Sequence, residues 1–118
     1  MPKNDEGLIQ RAIIEHLRIR ADKRVIYFSI PNSPRSKVAG GRLKAMGMLA
    51  GAPDLCFVLP DSTVCFLELK VGKNRLSEKQ TDFAKRCKAI GVNCASAWGL
   101  DQALAIIEAW GVMPPLDI

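Results

Sequence analysis

Apolar residues recur at Ile9, Ala12, Ile13 and Leu17, the spacing of one helical face, and predict a helix over residues 5–20. Asn4 is its expected N-cap, and Asp5 and Glu6 suit the positive end of its dipole. Residues 24–30 are β-branched and aromatic and predict a strand, broken by Pro31-Asn32-Ser33-Pro34. A short helix is expected around residues 41–48, closed by Gly47 or Gly51. Residues 55–59 and 63–71 predict two strands joined as a hairpin by the Pro60-Asp61-Ser62 turn. After the Gly72-Lys73-Asn74-Arg75 loop, Ser77-Glu78-Lys79-Gln80 has the form of a capping box and opens a helix to about Ile90. Gly91 ends that helix, residues 92–97 predict a fourth strand, and residues 100–110 predict a last helix stopped by Gly111 and Pro114-Pro115. The order α-β-α-β-β-α-β-α describes an α/β protein, a mixed sheet flanked by helices, in one domain over residues 1–118.

Composition removes several classes. Hydrophobic residues make up 48% of the 118, enough for a packed core, yet no apolar run approaches the ~20 residues of a membrane helix. The opening Met-Pro-Lys-Asn-Asp-Glu lacks the apolar stretch of a signal peptide, so a soluble intracellular protein is expected. Cys56, Cys65, Cys87 and Cys94 form no C-x-x-C pair, and His16 is the lone histidine. A zinc site is therefore not expected, and the cysteines read as small reduced hydrophobes.

The net charge of +5 is informative through its location. Lys23, Arg24, Arg35, Lys37, Arg42 and Lys44 fall within residues 23–53, which contain no acid; elsewhere acids and bases nearly balance. A basic segment of this kind is either a solvated loop or a seat for an anionic partner such as nucleic acid.

Directly after that segment come Gly51-Ala52-Pro53-Asp54 and then Phe66-Leu67-Glu68-Leu69-Lys70. Side chains alternate along a strand, so Glu68 and Lys70 share one face while Leu67 and Leu69 take the other. The hairpin returns Asp54 to the side of Glu68 and Lys70, so two carboxylates and an ammonium converge at one end of the sheet. Carboxylate oxygens suit a hard cation such as Mg2+ or Mn2+, which would polarise a phosphoryl oxygen and activate a water. Lys70 is placed either to orient or deprotonate that water or to offset charge in the transition state. The metal ligands on this reading are Asp54, Glu68 and the Leu69 backbone carbonyl.

The spacing P-D-x13-E-x-K resembles the PD-(D/E)xK nuclease superfamily. Pro31-Asn32, Arg35, Leu43-Lys44, Gly47, Gly51-Ala52-Pro53-Asp54-Leu55, Leu67-Glu68-Leu69-Lys70, Leu76-Ser77 and Gln80 resemble the virus-type replication-repair nuclease (VRR-NUC) pattern, over about residues 6–97. Ser33-Pro34 departs from it, where a glycine-rich turn is expected. The resemblance implies a restriction-endonuclease-like fold, a divalent metal, structure-selective cleavage of DNA such as four-way junctions, and the cytoplasm of a bacterium or phage-infected cell.

Further site residues follow with their alternatives. Gln80 fits the third helical position of a capping box, and equally points along the inward stripe of Phe83, Ala84 and Cys87 toward the site. Glu6 lies on the edge of the apolar face of the first helix and Glu15 nearly opposite, so Glu6 is the better further acid, with Gln10 one turn on in support. Lys73 and Arg75 either meet a phosphate or belong to a solvated loop, with Arg35, Lys37, Arg42 and Lys44 as the main DNA-contacting set. A homodimer is expected. Leu104, Ile107, Trp110 and the tail Val112, Met113, Pro114, Pro115 and Leu116 offer an interface, unless they pack on their own sheet. A non-catalytic DNA-binding module is the competing function. A sequence-specific restriction enzyme is disfavoured by the short chain.

Overall fold

The computed structural model describes residues 5–31 and 36–115. Asn4, Asn32, Ser33, Pro34, Arg35 and Leu116 lie outside the described residues. The elements are α1 (Asp5–Arg20), β1 (Ile26–Ser29), α2 (Lys37–Ala45), β2 (Leu55–Val58), β3 (Val64–Lys70), α3 (Glu78–Ala89), β4 (Asn93–Trp98) and α4 (Leu100–Ala109), in the expected order. The strands form one sheet in the order β1-β2-β3-β4. β1 and β3 run antiparallel to β2, and β4 runs parallel to β3. The parallel pair requires a crossover, which α3 supplies.

One face of the sheet carries Leu55, Phe57, Cys65, Leu67, Leu69 and Ala97, all buried against Ile13 and Leu17 of α1 and Ala103 and Ile107 of α4. The other face is covered by α3, where Phe66 and Phe83 meet edge to face with centroids 5.2 Å apart. The strand alternation that separates Leu67 and Leu69 from Glu68 and Lys70 therefore assigns the first pair to the core and the second to the α3 side.

Two elements differ from the sequence expectation. Helix α2 begins four residues before residue 41, because the Ser36 hydroxyl accepts from Ala39 N–H at 3.1 Å and caps it there. Strand β1 excludes Arg24, which instead folds back on Asp22 through three hydrogen bonds of 2.8–3.1 Å.

The apolar tail also requires correction. Ile107 and Val112 are fully buried, Met113 is 2% exposed, and Trp110 packs on Phe57 at 5.8 Å. Arg20 fastens the same region, donating to Glu108 Oε2 at 2.6 Å and to the Pro114 carbonyl at 2.7 Å. Ile107, Val112 and Met113 therefore complete the chain's own core and are not free to form an interface, Leu104 and Trp110 are half-buried, and Pro114 and Pro115 are exposed. Among the described residues no helix is long and apolar enough to cross a membrane.

Candidate active site

The hairpin register pairs Leu55 with Leu67, so Asp54 emerges from the end of β2 opposite Glu68. Both ends of Asp54 are fixed. Its backbone carbonyl accepts from Ile30 N–H at 2.8 Å, and its Oδ2 accepts from Leu69 N–H at 2.7 Å. The amide and carbonyl of one strand residue leave on the same side, and consecutive residues alternate. The Lys70 carbonyl accepts from Gly99 N–H at 3.0 Å on the β4 side, which directs the Leu69 carbonyl to the Asp54 side.

Gly51 explains how the loop before Asp54 meets α3. Its φ is +88°, and a Cβ there would lie 2.3 Å from the Lys79 carbonyl oxygen. Only glycine lets this loop press on the first turn of α3. Ser77 and Gln80 complete a reciprocal capping box in that turn. Gln80 then has a second partner, its Nε2 donating to Glu68 Oε2 at 3.1 Å.

Glu68 is 5% exposed, the one buried charged residue among those described. Burial pushes its carboxyl up to about 8. The adjacent Asp54 charge and a hydrogen bond shared with Asp54 contribute to that rise after burial, Lys70 opposes them, and Glu6 adds a smaller upward push. Asp54, Glu68, Lys70 and Glu6 thus share one electrostatic neighbourhood. Two carboxylates drawn together in a buried setting favour either a shared proton or a cation. Hard oxygen donors of this kind fit a divalent ion. Among the described residues, no three His, Cys, Asp or Glu side chains are grouped to hold a metal. A metal here would take the two carboxylates and draw its other ligands from backbone oxygen and water.

Glu6 reaches the site's margin from the first turn of α1, where its Oε2 accepts from Asn74 Nδ2 at 3.3 Å. The Asn74 carbonyl in turn accepts from Trp98 Nε1 at 2.7 Å. Asn74 and Trp98 escaped the sequence reading. Asn74 falls in a segment legible only as a loop, and Trp98 falls at the end of a strand. Gln10 is not brought to the site: with Arg11, Glu15 and Arg18 it lines a groove of about 390 Å3 along α1.

Of the basic residues, Lys37, Arg42 and Lys44 are exposed on α2, and Lys73 and Arg75 are exposed in the loop after β3. Ser29 pairs with Leu55, so the segment carrying α2 leaves and rejoins the sheet beside Asp54.

Two solved structures share this arrangement of elements. One, described as a VRR_NUC domain protein, matches 87% of this chain and 84% of its own with a TM-score of 0.69 and 19% identity. The other, described as a VRR_NUC domain, matches 89% of this chain and 96% of its own with a TM-score of 0.62 and 21% identity. The chain has the VRR-NUC fold. No family model matches the sequence, and no curated protein does. At such identities the VRR-NUC likeness is one of fold, and the site residues of this chain rest on its own geometry.

Proposed function

We propose that this chain is a metal-dependent DNA endonuclease that hydrolyses phosphodiester bonds in branched DNA, four-way junctions among them, and works as a homodimer. The observation that carries the reading is the convergence of Asp54, buried Glu68 and Lys70 at one strand end within a VRR-NUC fold. Asp54, Glu68 and the Leu69 carbonyl would hold Mg2+ or Mn2+. The bound ion supplies Lewis acidity to the scissile phosphoryl group. Lys70, on the same face as Glu68, orients the attacking water or offsets the charge developing on the phosphate. Gln80 keeps the Glu68 carboxylate turned toward Asp54, and Glu6 closes the acidic side from α1. Lys37, Arg42 and Lys44, with Arg35, Lys73 and Arg75, bind the DNA backbone.

A non-catalytic DNA-binding module is a poorer fit, because burying Glu68 beside Asp54 costs stability and repels phosphate. Purified protein is to be tested with Mg2+ or Mn2+ on duplex, single-stranded, flap and four-way-junction DNA. Metal-dependent cleavage favouring the junction supports the proposal. DNA binding with no cleavage under any metal sinks it in favour of the binding module.

A further inference from the structure

Two consecutive glycines, Gly40 and Gly41, occupy the interior of α2. Glycine there weakens a helix relative to alanine, because it gives up the most backbone freedom. Gly40 is buried, with half-buried Ala39 on the same side. Gly41 is exposed, has helical backbone, and a Cβ there would meet nothing within 4 Å. Neither conformation nor packing within the described residues calls for glycine at 41.

At 100° per residue, Lys37, Gly41, Lys44 and Ala45 lie on one face of α2, and all four are exposed. Two cations thus flank the bare Gly41, whose other neighbours on the helix surface are Ala45 and the exposed Val38. Along the helix axis the two lysines are about 10 Å apart, a span two lysine arms can close around adjacent phosphates. The surrounding segment from 23 to 53 contains no acid that would repel them.

We propose that this face of α2 seats a DNA phosphate backbone, and that Gly41 is bare so the backbone can approach the helix surface while Lys37 and Lys44 engage phosphates on either side. The proposal rests on the reading of the chain as a DNA-cutting enzyme. It adds that contact depends on shape at position 41 as well as on charge.

The test uses the full chain with Ca2+ and labelled duplex and four-way-junction DNA, measuring affinity across a salt series, with melting measured alongside. Gly41→Ala should raise Tm by about 4 °C and weaken binding about threefold, since a better helix makes a worse seat. Gly41→Gln should weaken binding about tenfold and reduce the salt slope by about 1, although it removes no charge. Ala105→Gln, exposed on α4, should change neither. The Lys37→Ala/Lys44→Ala pair separates the two readings. If it weakens binding while both Gly41 variants bind as wild type, α2 meets DNA but the bare seat is wrong. If neither the lysine pair nor the Gly41 variants affect binding, α2 is off the DNA and this proposal falls, whereas metal-dependent cleavage would leave the nuclease reading standing. Should Gly41→Gln fold poorly, Gly41→Ala decides: a higher Tm with unchanged affinity overturns the proposal.

Discussion

The side-chain nitrogen of Gln80 donates to Glu68 Oε2 at 3.1 Å while its carbonyl oxygen accepts from the Ser77 backbone N–H at 2.8 Å. One amide therefore both caps α3 and turns the buried carboxylate of β3. The two tasks separate by mutation. Gln80→Ala and Ser77→Ala should each lose about 1 kcal/mol of stability through the cap. Only Gln80→Ala should also lower cleavage, by about 10- to 100-fold, the usual effect of removing a residue that orients a metal ligand. Equal cleavage by the two variants would show that the contact to Glu68 plays no part in the reaction.

Glu68 also gives the metal-free protein a particular pH dependence. Its carboxyl stands at about 8 in the fold against an ordinary 4.5. Between those values the native state holds a proton that the unfolded chain releases, so this contribution to stability is full below about 4.5 and is lost as pH rises through about 8. In EDTA, Tm should fall from pH 5 to pH 8, and Glu68→Gln should flatten that fall. Mg2+ should raise Tm most near pH 8, because a cation favours the ionised pair and binds only the native site. Asp22 acts in a separate window, held down to about 2 by the Arg24 hydrogen bonds, so its contribution is lost only in acid. A melting profile in EDTA that does not decline toward pH 8 would contradict the burial assigned to Glu68.

The reacting groups predict a sharper split between binding and chemistry. Asp54→Asn, Glu68→Gln and Lys70→Met should each lower cleavage by about a thousandfold or more, a loss of roughly 4 kcal/mol in transition-state stabilisation. Each should stay folded. Asp54→Asn keeps an oxygen for the Leu69 amide, and Glu68→Gln replaces a buried carboxyl that already holds a proton with a neutral amide of similar shape. Affinity for uncleaved DNA should persist. A folded variant that cuts at the wild-type rate removes that residue from the active site.

The strand alternation at Leu67-Glu68-Leu69-Lys70 made the two faces of β3 legible in the sequence alone, and the turn at Pro60-Asp61-Ser62 set the hairpin that returns Asp54. Local signals sufficed for both. The burial of Glu68 was not legible, because it depends on α3 crossing that face, a long-range packing event with no local mark. The Trp98–Asn74–Glu6 chain was hidden for the same reason: three elements distant in sequence meet through hydrogen bonds. The tail from Val112 looked like surplus apolar surface only because a one-dimensional reading cannot weigh how much core two helices leave uncovered.

Gly51 turns that long-range packing into a stability prediction. A methyl group at 51 would strike the Lys79 backbone at 2.3 Å while the residue is held at φ +88°. Backbone cannot yield as a side chain can. Gly51→Ala should therefore cost about 3 kcal/mol, from overpacking and left-handed strain together. By contrast Gly47→Ala, with φ +107° and nothing within 4 Å of its Cβ, incurs the backbone strain without the collision and should cost less. Chemical denaturation ranks the two, and a larger loss at Gly47 would mean that α3 is not seated on the Gly51 loop.

With Ile107, Val112 and Met113 committed to the chain's own core, the large exposed apolar side chains lie on other surfaces. Strand β1 lies at the edge of the sheet and exposes Ile26 by 61% and Phe28 by 49%. An edge strand presents unpaired backbone groups, and exposed apolar residues beside them invite a second copy to pair. A two-fold pairing would also carry two active sites with the symmetry that paired cuts in a four-way junction require. The homodimer proposal therefore predicts a wild-type mass near twice 12.9 kDa by light scattering at micromolar concentration. Ile26→Lys/Phe28→Lys should bring it to the monomer mass with the far-ultraviolet spectrum unchanged. On a mobile four-way junction, the wild type should release symmetric paired nicks and the double variant should nick one strand at a time. A wild-type mass at the monomer value ends the dimer proposal, and a dimer insensitive to both substitutions moves the interface away from β1.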